Sequence, residues 1–510
     1  MSYINPIFIL VFLSFFSISC KQTTKDTVDI PTILAGKSYI YGQITVPDSV
    51  QLESLKISIY TLHPISGEFI IGEVLADPSG HYSFDLDVET SSTIVSFRTS
   101  LDPQTTLMIK TFANDSTRVD IQYDTYQKIK NVDVLPYMNK YDMRQGMEVF
   151  NKIVNRKLTD PSKKILHLYN KSIDEFLGVV KRNYSERIAL FVDSDDLLTK
   201  EFKDFIAKDY RLFLYRLHVF NYEVEMKRNY RNTTQDTVEI PKISKRDRSY
   251  FRFLKDFNLN DPQYLHAYTF PEFQDSILHN KILGLPSIGE KPIDDWIAEV
   301  KNILSELVGF DEGPYYDILA ANALGTQLTK EKRPFSEKQI ENISKYWKDG
   351  EIPKILFRKN EVIIKYDELK SPAVVHDVAS VPKEKVLDAI LANHQNKVVF
   401  MDFWATWCAP CLVAMKQFDA VKGDYSDKNV AFVYLTNGSS PKDLWDQQII
   451  GIGNEHYYLS AEQWEYLMDQ FEFTHIPSYV LIDDKGEVVD KFISFPGNQE
   501  VQNKLDKLLQ

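Results

Sequence analysis

Hydrophobic residues alternate with polar ones early in the chain and shift to a helical repeat across its middle. Residues 39–46, 55–62, 81–88 and 93–97 place apolar side chains at about every second position. Asp77-Pro78-Ser79-Gly80 supplies a turn between two of these runs. No helical period appears among them, so they predict a small β-sandwich over residues 30–126. From Tyr137 to about Arg358 the spacing lengthens. Ile165, Leu168, Ile173, Phe176, Leu177 and Val180 fall on one helical face behind an Asp160-Pro161 start. Residues 197–230, a stretch opened by Asp261-Pro262, 293–307 and 336–348 predict further helices of an α-helical domain over 127–364. The aromatic stripe at 202–220 has the spacing of core packing.

From residue 365 to 510 the two periods alternate, which predicts an α/β domain. Residues 383–393 read as a short helix, 398–403 as a strand apolar on both faces, and 431–435 as the next parallel strand. A helical stretch at 442–450, a strand-like one at 456–459 and a helix at 462–471 follow. Residues 479–482 and 488–492 form a hairpin around Asp484-Lys485-Gly486. The chain is therefore expected to be multidomain, in keeping with 510 residues at a prior of about 150 per domain.

Composition adds two exclusions and one address. The residues are 44% hydrophobic and 26% charged, as in a globular protein, and the net charge of −13 argues against a nucleic-acid partner. No G-x-G-x-x-G, phosphate loop or H-E-x-x-H occurs, so neither a cofactor nor a metal is expected. Residues 4–19 are uncharged and mostly apolar, shorter than the ~20 residues of a membrane-spanning helix. They read as a signal peptide over 1–19, followed by a polar tether over 20–29.

Chemistry concentrates at one junction. Cys408 and Cys411 stand where the 398–403 strand turns into a helix whose apolar face is Leu412, Met415, Phe418 and Val421. Unpaired N–H groups and the helix dipole favour a thiolate at Cys408, and Cys411 sits one turn further on. Pro410 lies in the first turn, where a missing N–H costs nothing. A zinc knuckle would need a second ligand pair, and a purely structural disulfide over so short a loop would constrain little chain entropy. The pair reads as redox-active.

The W-C-A-P-C run at 407–411, the Ile476-Pro477 pair and the Y-V-L-I-D-D-K-G-E-V-V hairpin at 479–489 resemble the thioredoxin superfamily, in particular TlpA-like thiol-disulfide oxidoreductases. The resemblance covers the domain over 365–510 and implies a thioredoxin-like fold, with the material at 436–475 as that subgroup's insert. It implies a cis Pro477 facing the cysteines and an Ile476 backbone that holds an extended substrate chain. Asp402 matches the buried acid of thioredoxin and is either the proton acceptor for Cys411 or a strand-end carboxylate bonded to backbone. His475 either approaches Cys408 or lies in an exposed loop, and Trp404 and Trp407 would pack the turn and shape an apolar docking surface. Ala405 stands where a peroxiredoxin carries Thr, which disfavours peroxidase activity.

The G-x-I and D-x-x-G-x-Y-S-F patterns near the start resemble β domains found ahead of TlpA-like modules. Ser17-Ile18-Ser19-Cys20 resembles a bacterial lipoprotein box, which implies a lipid anchor on Cys20, a membrane contact through it and a periplasm-facing place in the cell envelope. The alternatives are a plain secretory signal cleaved near Ser19 and a marginal membrane anchor. The partners implied are protein disulfides as substrates and a membrane electron donor that restores the thiols. A second reading is a binding protein or redox sensor, with the β and helical domains recognising the partner.

Overall fold

The computed structural model describes residues 29–47, 55–155, 167–235, 242–368 and 372–509. Cys20, the signal stretch 1–19, nearly all of the tether and the Asp160-Pro161 helix start lie outside these residues.

Eight strands come first: β1 (Ile33–Thr45), β2 (Lys56–Leu62), β3 (Phe69–Leu75), β4 (His81–Thr90), β5 (Ser92–Thr99), β6 (Leu107–Phe112), β7 (Asp115–Tyr123) and β8 (Ile129–Leu135). They form two four-stranded sheets, ordered β4-β1-β7-β8 and β3-β2-β5-β6. Alternation along β4 turns Tyr82, Phe84, Leu86 and Val88 inward, against Ile57, Ile59, Val95 and Phe97 of the facing sheet. This is the expected sandwich. Its last strand lies beyond residue 126, where the sequence pattern ended the β domain. A bulge opposite Tyr123 puts an extra residue between Ile129 and Val132, which hides the alternation.

The middle of the chain holds α1 (Lys140–Val154), α2 (Ile173–Ile188), α3 (Lys200–Leu214), α4 (Tyr222–Thr234), α5 (Phe270–Leu278), α6 (Ile293–Val308), α7 (Pro314–Thr329), α8 (Glu337–Trp347) and α9 (Glu351–Glu368). A wide turn over Tyr215–Phe220 separates α3 from α4, so 197–230 is two helices. Asp261-Pro262 opens only a short turn of 3-10 helix, Pro262–His266. The aromatic stripe is core: Phe202, Phe205, Tyr210, Tyr215 and Phe220 all lie in the main apolar cluster. α7 had no amphipathic signature because it is buried nearly all round. α9 carries the helical region to Glu368, past the expected boundary at 364.

Sandwich and helices share a core. Ile65, Ile94 and Met108 join the helical cluster, which covers the outer face of the second sheet. Asn322 on α7 donates to the carbonyls of Pro64 and Ile65 at 2.9 and 2.7 Å. Gly325 lets the same loop touch α7: a Cβ there would stand 2.4 Å from the Ser66 carbonyl oxygen.

The last domain is a six-stranded sheet, ordered β14-β13-β10-β11-β12-β9. Its strands are β9 (Ala373–His376), β10 (Val398–Phe403), β11 (Val430–Asn437), β12 (Asn454–Leu459), β13 (Ser478–Ile482) and β14 (Val488–Ile493). β9 to β12 run parallel, and β13 returns antiparallel against β10. The helices are α10 (Val386–Ala392), α11 (Ala409–Lys422), α12 (Lys442–Ile452), α13 (Ala461–Gln470) and α14 (Asn498–Leu508). Phe400 and Tyr434 face the side of α11, α12 and α14, and Val399, Met401 and Phe403 face α10 and α13. Among the described residues no helix is long and apolar enough to cross a membrane.

Glu68, from the sandwich loop, pairs with Lys359 of α9 and, at 2.9 Å, with Lys416 of α11. One carboxylate thus ties all three domains together. Burial alone would raise its pKa, but the two ammonium groups outweigh that and bring it down to about 2.

Candidate active site

β10 is buried along its whole length and delivers the chain to its C-terminal end in the middle of the sheet, where residues 404–407 turn into α11. Cys408 is the N-cap of that helix, and its sulfur accepts the Cys411 N–H at 3.3 Å. The two cysteines are joined as a disulfide with Cα atoms 5.3 Å apart. Cys411 is wholly buried, whereas Cys408 keeps a sliver of accessible surface. Pro410 occupies the first turn of the helix.

The two neighbouring tryptophans part company. Trp404 is fully buried in the cluster that contains both cysteines, and Trp407 is 62% exposed. Trp407 therefore offers apolar surface beside Cys408 while Trp404 packs the turn. The loop after β11 holds this turn in place. Ser440 Oγ, buried, accepts the Thr406 N–H at 3.0 Å and contacts Thr436 Oγ1 at 2.8 Å. The Trp407 indole N–H donates to Ser439 Oγ at 3.2 Å. Neither serine carries a signal of its role in the sequence, where each is one small polar residue among others.

The peptide bond between Ile476 and Pro477 is cis. Ile476 packs against both apolar clusters of the domain, including the one that holds Cys408 and Cys411. His475 is exposed, with its ring nitrogen 3.1 Å from the Thr474 hydroxyl, so the loop alternative describes it.

Asp402 points from β10 to the face that carries α11. It is only 3% exposed, and among the described residues its Oδ1 has no hydrogen-bond partner, backbone or side chain. Its strand neighbours are Tyr434 on β11 and Tyr479 on β13. Burial raises its carboxyl well above the usual range, with Lys422 as the opposing influence. Lys422, at the end of α11, donates to Tyr434 Oη at 3.2 Å and to the Ile452 carbonyl at 3.0 Å, and pairs with Asp419 at 2.8 Å. Burial would lower its pKa, but Tyr434 and Asp419 hold it above the ordinary lysine value. Lys422 escaped sequence reading because it looks like one more polar residue in a helix.

The chemistry available is sulfur exchange: a nearly covered sulfur at a helix N-terminus, a buried partner sulfur one turn on and a desolvated carboxylate on the same side of the sheet.

Residues 396–488 match the family model described as thioredoxin-like. A thiol-disulfide oxidoreductase, ResA, of Bacillus thuringiensis is 23% identical over 118 residues, covering 23% of this chain and 67% of that protein. A thioredoxin of Staphylococcus haemolyticus is 29% identical over 117 residues, 23% of this chain and 88% of its own. The thioredoxin-like protein YneN of Bacillus subtilis is 27% identical over 122 residues, 23% of this chain and 68% of its own. The C-terminal part of this chain, over residues 396–488, is a thioredoxin-like domain.

Proposed function

We propose that the chain is an exported, lipid-anchored oxidoreductase of the cell envelope that reduces protein disulfides through Cys408 and Cys411. The observation that carries this reading is the placement of Cys408 at the N-cap of α11, with its sulfur against the Cys411 amide. There a thiolate is stabilised by unpaired N–H groups and by the helix dipole. In the reduced pair, the Cys408 thiolate attacks one sulfur of a substrate disulfide, and the other sulfur leaves as a thiolate that takes up a proton. Asp402, in its ionised form, accepts the Cys411 proton, and Cys411 then attacks the Cys408 sulfur. The mixed disulfide breaks, the second substrate sulfur leaves as a thiolate that takes up the proton from Asp402, and the Cys408–Cys411 disulfide remains. Two electrons have passed to the substrate. A membrane electron donor carrying a dithiol returns them.

Ile476 and Pro477 present backbone to the substrate chain, and Trp407 covers the apolar side chains next to its disulfide. The apolar stretch at 4–19 and the Ser-Cys that follows support export and a lipid on Cys20, with 20–29 as the tether. In the order of the chain, the sandwich and helical domains come between that anchor and the redox pair.

The test is trapping in cells. Cys411→Ser should accumulate mixed disulfides with envelope proteins, and Cys408→Ser should accumulate none. The reverse pattern would overturn the assignment of the nucleophile. Intact-mass measurement of membrane-extracted protein should find acyl groups on Cys20, and a soluble product that begins elsewhere would overturn the anchor.

A further inference from the structure

A second cluster of chemically capable side chains lies on the same sheet, away from the cysteines. His376 ends β9, Glu455 is the second residue of β12, and His394 follows α10. One ligand atom from each, two imidazole nitrogens and a carboxylate oxygen, lie within 4.8 Å of one another. The register places Tyr457 beside His376, and Glu455 two residues earlier on the same face of β12. We propose that His376, His394 and Glu455 form a binding site for a divalent transition-metal ion, of which Zn2+ is the chemical type.

Donor set, preorganisation and access all fit. Two imidazoles and one carboxylate are ligands that zinc takes, with a fourth position left for water. Both rings are already oriented. His376 stacks on Tyr457 with ring centroids 4.8 Å apart, and its Nδ1 lies 3.5 Å from the Asn393 amide. The Tyr457 hydroxyl is 3.0 Å from His394 Nε2 and also accepts from Asn393 at 3.1 Å. Hydrogen-bonded partners of this sort fix the tautomer and orientation of metal-bound histidines. His394 is buried while His376 and Glu455 are half-buried, so the cluster has a floor and an open side. Without metal, His376 Nε2 and Glu455 Oε2 meet at 2.6 Å, and an ion would displace the shared proton and separate them slightly.

The site has a structural use. β9 is a four-residue edge strand held to the sheet by β12 alone, and it is the first strand of the domain. Zinc would bind its last residue to β12 and to the turn after α10. The cysteines do not contribute, because they lie beyond β10, two strands further into the sheet, and pack in the cluster on its opposite face.

The test is titration of the full chain with Zn2+, the Cys408–Cys411 pair kept oxidised and any free thiol alkylated so that no thiolate competes. One equivalent should bind, and Co2+ in its place should give visible absorption bands of low coordination number. His376→Ala and Glu455→Gln should each weaken binding by more than the roughly 10- to 100-fold that loss of an outer partner costs. In the unaltered chain, saturating Zn2+ should slow amide exchange across Ala373–His376, a readout that needs no variant to fold. Absence of stoichiometric binding up to millimolar Zn2+, binding indifferent to both substitutions, or unchanged exchange in β9 would each overturn the proposal.

Discussion

Asp402 stands in an environment far from that of an ordinary aspartate. A carboxylate with an unpartnered buried oxygen is costly, so the fold favours its protonated form. Between the ordinary aspartate value near 4 and the raised folded value, the folded state binds a proton that the unfolded chain has lost. Stability therefore falls as pH rises through that window. Asp402→Asn should remove this slope and leave the protein as stable or slightly more so at neutral pH, which thermal unfolding at several pH values would read. If the carboxylate takes the Cys411 proton, the same variant should reduce disulfides about 10- to 100-fold more slowly, towards the low end of general acid–base effects. It should also prolong the Cys408 mixed disulfide. Unchanged turnover across neutral and alkaline pH would make Asp402 a purely structural residue.

Among the elements, the β11–α12 loop matters most to the site, because it carries none of the reacting atoms yet holds the turn that does. Ser440 is fully buried, and its hydroxyl is the partner of the Thr406 amide. Ser440→Ala would leave that N–H unpaired away from water, at a cost of about 1–3 kcal/mol. Faster hydrogen exchange at Thr406 with a lowered melting temperature is the expected result. Full protection at Thr406 in the variant would show that the turn is held by its own packing around Trp404. α11 itself is set by local rules: an N-cap at Cys408, a proline in the first turn and an inward face of Cys411, Ala414, Met415 and Phe418.

For the whole molecule, Glu68 is the point where three domains meet. Its carboxylate is held down to about 2 by Lys359 and Lys416 against the opposing effect of burial. Lys332, half-buried nearby, is pushed down to about 8, first by desolvation and then by those same two lysines. The depressed carboxyl contributes stability above the unfolded value near 4.5 and loses it as pH falls towards 2. Glu68→Gln leaves the lysines facing one another and should cost roughly 3 kcal/mol at neutral pH, as loss of one partner of a buried pair does. The difference from the parent chain should shrink in acid. A constant difference from pH 7 to pH 3 would mean that packing, not charge, is what Glu68 supplies. Limited proteolysis between α9 and β9 should also quicken in the variant, since Lys416 would lose its tie to the sandwich.

The residue order alone determined what depends on near neighbours. The cysteine pair at a strand-to-helix junction, the buried β10, the hairpin around Gly486 and the change from period two to helical period are all written in spacings of a few residues, where backbone geometry fixes which side chains share a face. α7 shows the limit of that reading, since a helix buried on every side has no polar stripe to reveal it. The remaining features were decided by tertiary structure. Lys422 reaches from the end of α11 to Tyr434 on the sheet face beneath it, His376, His394 and Glu455 converge from separate elements, and Lys416 meets Glu68 across 348 residues of chain. Contacts between residues so far apart leave no local period or composition in the sequence, because they exist only once the layers have packed.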